Sequence, residues 1–344
     1  MSRPSTWTSP APASYPSAAL PRNPRVWLGS APRTRHSSDA CGMAVPTALQ
    51  TLEVALAAGG GAARWKTLVG LGISPSCLHR AVACGAVSRP ARGVLALHGT
   101  PHDAVVIAAL GGLMTCVSQL HHLGVPLREA PTGIHVCLSR NQHRVATSDA
   151  LRLAVVHRSR SVPEGTARPQ ILGPTATAVA TALEIASDCL SPLDHLIAAD
   201  GALRLGFVAP RDLHFARGTA RERGRWLARH ADACADSLLE TVARWALTDA
   251  GFRVESQVTF PGVGRVDLMV EGAVVVELDG RQYHSDRAAF DTDRRRDRSL
   301  LAWGLRVLRF TYSDVMPAGG RVVEDVKAAL SADVSLGSAT RQRR

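Results

Sequence analysis

The sharpest change of hydrophobic period in this chain lies in its last third. From Ser237 to Ala250, Leu238, Leu239, Val242 and Trp245 form an apolar stripe of helical spacing that Gly251 ends, with Glu240 on another side. Val254 to Phe260 then alternates as a strand. From Arg265 to Asp279 two further short strands are joined by Glu271-Gly272-Ala273, a hairpin signal. Strand side chains alternate, so Val266, Leu268 and Val270 share one face, and Val274, Val276 and Leu278 share one face of the second strand. With Gly272 at the apex, Asp267 stands opposite Glu277, and Arg265 opposite Asp279. A helix from about Ala288 to Trp303, a strand from Leu305 to Thr311 and a helical region capped by Ser313 and reaching Leu330 follow. The polar tail, residues 332–344, is expected to be loose.

The front of the chain reads differently. Residues 1–42, rich in Pro, Ser, Ala and Arg, keep no period and are expected to be disordered. From Val45, Leu49, Leu52, Val54, Ala55 and Leu56 predict an amphipathic helix stopping at Gly59-Gly-Gly61. Trp65, Leu68 and Val69 predict a second short helix. Ser74-Pro75 supplies an N-cap and first-turn proline for a third, with Leu78, Ala81 and Val82 inward. Val87 to Leu97 follows as a hairpin. Three small helices and a basic hairpin predict a winged helix-turn-helix over residues 45–98. It would offer His79, Arg80, Arg89 and Arg92 to a phosphate backbone or serve as a protein–protein module.

Residues 102–235 are the least legible. Helices are expected at Ala104–Gly112, Thr115–Leu123, Thr175–Ser187, Pro192–Asp200 and Pro210–Phe215, and strands at Gly133–Leu138 and Leu153–His157. Ser118, His121 and His122 would face a groove, but the two adjacent histidines point apart and are poor co-ligands. Between Arg204 and Arg229 seven arginines accompany only Asp212 and Glu222, which suits either a DNA backbone or a solvated linker helix.

Length, charge, apolar runs and cysteines add four constraints. The chain has 344 residues, enough for two or three domains, and its formal net charge of +11 favours a polyanionic partner. No apolar run approaches the ~20 residues needed to span a bilayer, so no membrane partner is expected. The seven cysteines are scattered, odd in number and without a C-x-x-C pair. That pattern argues against a disulfide framework or zinc ribbon and for small buried hydrophobes in a reducing cytoplasm.

The candidate chemistry gathers at the hairpin. Asp267, Glu277 and Asp279 converge at one end of it, which is unfavourable unless a cation or protons relieve the repulsion. A hard divalent ion, Mg²⁺ or Mn²⁺, suits three carboxylates; a solvated face with incidental acids is the alternative. Downstream, Asp291, Arg294 or Arg295, and Arg298 share a helix face. Arg294 and Arg298 would clamp a phosphate there, or form an ion-pair lattice with Asp291 and Asp297. Arg309, on the following strand, could also reach DNA.

The order Glu240, Arg-Val-Asp267, Val-Val-Val-Glu277-Leu-Asp279-Gly, His284, Asp293-Arg294 with Asp297-Arg298, and Gly-Leu-Arg-Val-Leu-Arg309-Phe resembles the Vsr-like branch of the PD-(D/E)xK nucleases, over roughly Leu238 to Leu330. The resemblance implies a restriction-endonuclease-like α/β/α domain at 237–331 that cleaves DNA with a divalent metal. Asp267 and Glu277 would hold the ion and Glu240 would be an accessory ligand or base. The sequence departs from most of the superfamily at Asp279, where Lys is usual. Asp279 would then bind metal, with His284 as general acid or base. The Gly-Ile-Ser and Arg-Gly-Val-Leu-Ala-Leu pattern at 45–98 resembles the N-terminal domain of AbiEi-type antitoxins. The whole is thus expected to be a three-part α/β protein that nicks or cuts DNA. The alternatives are a non-catalytic DNA-binding regulator of antitoxin type with a degenerate nuclease fold, and a toxin–antitoxin fusion. A homodimer or partner-protein contact would use the N-terminal half.

Residues 1–42 resemble translated upstream DNA, so the native chain is expected to start at Met43. An intact mass of the native protein that includes Met1 overturns that expectation.

Overall fold

The computed structural model describes residues 48–141, 154–159, 175–216, 218–279 and 287–341, the last segment with side chains at 295–331. The expected N-terminal extension, His284 and the side chains of Asp291, Asp293 and Arg294 lie outside the described residues.

The first elements are α1 (Ala48–Ala58), β1 (Ala62–Arg64), α2 (Trp65–Gly70), α3 (Pro75–Ala83), β2 (Ser88–Ala91) and β3 (Val94–Ala96). Ser74 caps α3 by accepting from the Cys77 amide at 3.3 Å. The hairpin β2–β3 is antiparallel, and the short β1 completes the sheet in the order β1-β3-β2. Leu52, Leu56, Leu68, Leu78, Ala81 and Leu95 close this core. The helical spacing of α1 misplaces Val54, which is 68% exposed, because Leu52 and Leu56, flanked by the partly buried Leu49 and Ala55, form the face of that helix turned to the core. Too short to show a period, β1 escaped the sequence reading.

The centre comprises α4 (His102–Leu110), β4 (Leu113–Met114), α5 (Cys116–His122), β5 (Ile134–Ser139), β6 (Ala154–Ser159), α6 (Ala176–Ala186), α7 (Pro192–Arg204), a 3₁₀ turn at Pro210–Leu213 and α8 (Gly218–His230). β5 is buried throughout, running antiparallel to β4 and parallel to β6. Helix α8 is no loose linker: a Cβ on Gly224 would meet the Leu213 carbonyl at 2.5 Å, so glycine there permits close packing. Arg221, Arg225 and Arg229 remain exposed along its outer side at i, i+4 and i+8. The cysteines do not all behave as core hydrophobes. Cys77, Cys116 and Cys137 are buried, whereas Cys84, Cys189 and Cys234 are exposed, since they fall in turns rather than on packed faces.

The last third carries α9 (Leu238–Asp249), β7 (Val254–Phe260), β8 (Gly264–Val270), β9 (Val274–Asp279), α10 (Arg287–Ala302), β10 (Arg306–Thr311), α11 (Tyr312–Val315) and α12 (Gly320–Arg341). Strands β7, β8 and β9 form an antiparallel meander, and β10 adds in parallel to β9 after the α10 crossover, giving the order β10-β9-β8-β7. Leu268, Val270, Val274 and Val276 pack against α9 and α12 through Val242, Leu247, Val322 and Val326. Met269 and Val275 meet Leu300 of α10 on the other face. The sheet therefore lies between helices.

Three expectations need correction. Val266 belongs with Met269, Val275 and Leu300, not with Leu268 and Val270. The strict alternation breaks where Gln257, opposite Asp267, adopts a φ of 56° and leaves the β7–β8 ladder. Thr311, not Ser313, caps α11: its amide and hydroxyl reach Asp314 Oδ2 at 2.9 and 2.7 Å. Helix α12 continues to Arg341 rather than ending near Leu330.

The central and last parts are joined by a buried network. Asp200 of α7, 1% exposed, accepts from Arg244 Nη2 at 2.7 Å, Thr241 Oγ1 at 2.8 Å and the Asp232 amide at 2.8 Å. Burial pushes its carboxyl up, and these partners pull it back. Gly201 lets the Pro126 ring approach the same stretch, since a Cβ there would lie 2.4 Å from it. Among the described residues no helix is long and apolar enough to cross a membrane.

Removing the cation should strand a buried carboxylate. Arg244→Met is expected to destabilise the protein by about 3–5 kcal/mol, measured by urea unfolding, with Asp200→Asn/Arg244→Met recovering part of the loss.

Candidate active site

The hairpin pairs about Gly272 in the implied register over its three residue pairs nearest the apex. The paired register is Leu268↔Val276, Met269↔Val275 and Val270↔Val274, and it stops one position short of Asp267 and Glu277. Glu271 and Gly272 at the apex have φ values of 52° and 65°, the pattern of a mirror-image hairpin turn that suits strand twist. The ladder does not extend to Arg265 and Asp279. Arg265 instead pairs with Asp236, its Nη2 lying 2.5 Å from the carboxylate, because β8 there lies against β7 and the segment entering α9.

Glu240, Asp267, Glu277 and Asp279 share one electrostatic neighbourhood. Glu240 is buried near the start of α9, whose N-cap Ser237 accepts from the Glu240 amide at 3.2 Å. Its Oε2 accepts from the Asp236 amide at 2.8 Å and from Gln257 Nε2 at 2.6 Å. Burial raises its carboxyl above the usual range, these hydrogen bonds oppose that, and the Asp267 charge adds a smaller upward push. Asp267 Oδ2 accepts from the Leu278 amide at 2.8 Å. Desolvation likewise raises Asp267, the Leu278 amide and Arg296 lower it, and Asp279 raises it. Glu277 is pushed up to about 7, chiefly by burial and then by Asp267 and Asp279, against the pull of Arg296 and Arg309. Asp279, at the end of β9, is exposed.

Arg296 is the residue that sequence reasoning missed. Its guanidinium donates to Glu277 Oε1 at 2.9 Å and to the Arg265 carbonyl. The arginine run on α10 hid it among Arg294, Arg295 and Arg298. Arg296 precedes the fully buried Leu300 by one turn and shares the inward face, and that spacing was the available signal. Arg295 and Arg298 are exposed. Arg309, beside Glu277 in the parallel β9–β10 register, is committed to a fork with Asp297 at 2.9 and 2.6 Å. Gln257 was missed as well. It lies opposite Asp267 and holds Glu240, while its buried Oε1 meets no donor among the described residues.

The carboxylates are neighbours without gathering at the spacing of metal ligands, since the donors drawn within 4.8 Å of one another among the described residues lie elsewhere. Asp267 is turned to the Leu278 amide and Glu277 to Arg296, and like charges in a desolvated site repel. The donor set, carboxylate oxygen throughout, still suits a hard divalent ion.

In the front half, Trp65 groups two of the expected DNA contacts. His79 of α3 lies 4.7 Å from its ring centroid and the Arg89 guanidinium 5.6 Å. His79, Arg80, Arg89 and Arg92 are all exposed. An open cleft is lined by His102, Asp103, Ser118, His121 and His122, as the helical spacing of α5 implied.

Residues 240–330 match the family model REase_MTES_1575, a restriction-endonuclease-like family. The chain ends in a restriction-endonuclease-like domain. The match begins at Glu240, includes Asp267, Glu277, Asp279 and Arg296, and ends within α12. No curated protein matches the chain. A domain of this type points to nuclease chemistry, to DNA as substrate and to a divalent metal.

The raised Glu277 carboxyl contributes to the pH response of the metal-free domain. Its folded value of about 7 stands above the ordinary 4.5, so the folded chain holds an extra proton between those limits. The stability linked to that proton is complete below about 4.5 and lost as pH rises through about 7. Glu277→Gln should flatten this decline in chelator-treated protein. At pH 8 the variant should exceed the wild type by on the order of 2 kcal/mol in urea unfolding monitored across pH.

Proposed function

We propose that the protein is a Vsr-like endonuclease that hydrolyses DNA phosphodiester bonds with Mg²⁺ or Mn²⁺. The observation that carries the reading is the coincidence of the family match with three half-buried or buried acids, Glu240, Asp267 and Glu277, whose charges interact. Asp267 and Glu277, joined by Asp279, would hold the ion, with Glu240 as an accessory group. When bound, the ion supplies Lewis acidity toward the scissile phosphate and lowers the pKa of water.

The remaining work falls to the chain's own residues. Arg296 stands beside the acids and supplies the positive charge that Asp279 removes from the usual lysine position. It would hold a phosphate oxygen once a cation replaces it at Glu277. Gln257 keeps Glu240 oriented toward the site. His284 is the proposed general acid or base, and Arg294 and Arg298 remain proposed backbone contacts with Arg309 held by Asp297. A winged helix presenting His79, Arg80, Arg89 and Arg92, together with the Arg221, Arg225 and Arg229 stripe, would supply affinity for the phosphate backbone.

The second reading is a non-catalytic DNA-binding regulator of antitoxin type. The pairing of Glu277 with Arg296 and the loss of the usual lysine favour it.

Nicking of supercoiled, mismatched and single-stranded DNA distinguishes the two readings. Cleavage is expected only with Mg²⁺ or Mn²⁺ and should fall roughly 10²–10³-fold in Asp267→Ala and Glu277→Ala with DNA affinity retained. Tight, chelator-insensitive binding with no cleavage of any substrate establishes the regulator instead.

A further inference from the structure

A second cluster of metal-ligating side chains lies in the central region, apart from the endonuclease-like acids. Cys116 is the first residue of α5, His135 is on β5, His157 is on β6, and Cys189 is in the turn between α6 and α7. The parallel register pairs His135 with Val155 and Cys137 with His157, so the two histidines stand on the same face of the sheet. The turn after α6, where the Cys189 amide donates to the Ala186 carbonyl at 3.0 Å, brings the last thiol over that face.

We propose that Cys116, His135, His157 and Cys189 bind one structural Zn²⁺. The donor atoms all lie within 4.8 Å of one another. His135 Nδ1 is 3.1 Å from His157 Nε2, and Cys189 Sγ is 3.8 Å from each of those nitrogens. A tetrahedron built on Zn–N and Zn–S bond lengths has edges of roughly 3.3 Å between nitrogens, 3.5 Å between nitrogen and sulfur and 3.8 Å between sulfurs. Those three separations fall within a few tenths of an ångström of the corresponding edges, and the Cys116 thiol lies within 4.8 Å of each of the other donors. Two thiols and two imidazoles are a zinc donor set, and four protein ligands close the shell, which marks a structural site.

Two further observations agree with a built site. Cys116 has a φ of 54°, a conformation that residues other than glycine avoid. Cys116 and His135 are also buried, so their donors face one another away from solvent. The site would tie down β6. That strand ends the order β4-β5-β6, is only partly covered and exposes Val155. Long spacings between the ligands leave no C-x-x-C signature, so neither cysteine count nor spacing points to the site. The Mg²⁺ or Mn²⁺ proposed for the carboxylates is chemically distinct, since hard oxygen donors and soft thiolates select different ions.

The test uses the full-length protein purified from zinc-supplemented cells and washed with a weak chelator. Elemental analysis should find one zinc per chain in the wild type and in Asp267→Ala, and a mercurial thiol reagent should release it. Cys189→Ser and His157→Ala should each lose the zinc. The Co²⁺-loaded wild type should show the intense visible bands of a tetrahedral, sulfur-ligated ion. Stripping the zinc should lower the midpoint of thermal unfolding by on the order of 10 °C. The Co²⁺ spectrum needs no variant, so a misfolded mutant cannot decide the outcome. Zinc absent from the wild type, zinc retained in both ligand variants, or a mass two hydrogen atoms light from a Cys116–Cys189 disulfide overturns the proposal.

Discussion

The buried Asp200–Arg244 pair is the interaction on which the candidate site depends. Arg244 lies on α9, one turn after Glu240, so the contact that docks α9 onto α7 also fixes where Glu240 stands. A carboxylate that is 1% exposed is tolerated because a guanidinium, a hydroxyl and an amide all face it. Ile197 of α7 packs into the core of the endonuclease-like domain, and Trp245 of α9 packs against the central one. The junction between the two regions is therefore a packed interface, and the geometry of the last third is set partly from outside it.

Within that frame the acids are balanced rather than neutralised. Burial raises Glu240, Asp267 and Glu277 together, and each is restrained by a different donor: Gln257, the Leu278 amide and Arg296. The break in strand alternation at Gln257 and Asp267 belongs to the same arrangement. It lets an amide side chain from the edge strand β7 reach an acid on α9, which a regular ladder would not allow. Arg296 places its positive charge against Glu277, and that contact is compatible with a primed enzyme and with a silenced one.

The basic features of the front half are also products of packing. Trp65 gathers His79 and Arg89 although they come from a helix and a hairpin. Helix α8 buries Ala220, Gly224 and Leu227 and turns three arginines outward. What reads along the chain as a diffuse arginine excess becomes a stripe on one surface because the opposite side of that helix is fully used.

The sequence by itself determined the local elements of the last third. Period-two and period-3.6 patterns, Ser237 as a cap and Gly272 at an apex are short-range signals, and they place β7, β8, β9 and α9 and the register of the β8–β9 pairs next to the apex. Only the tertiary structure decided which of several adjacent arginines turns inward, because that depends on the phase of α10 set by Leu300 against the sheet. The same holds for Val266, whose face follows from an irregularity in a neighbouring strand, and for the cysteines and histidines of the central region. Their partners lie on four separate elements, and side chains so far apart along the chain meet only through the packing of those elements.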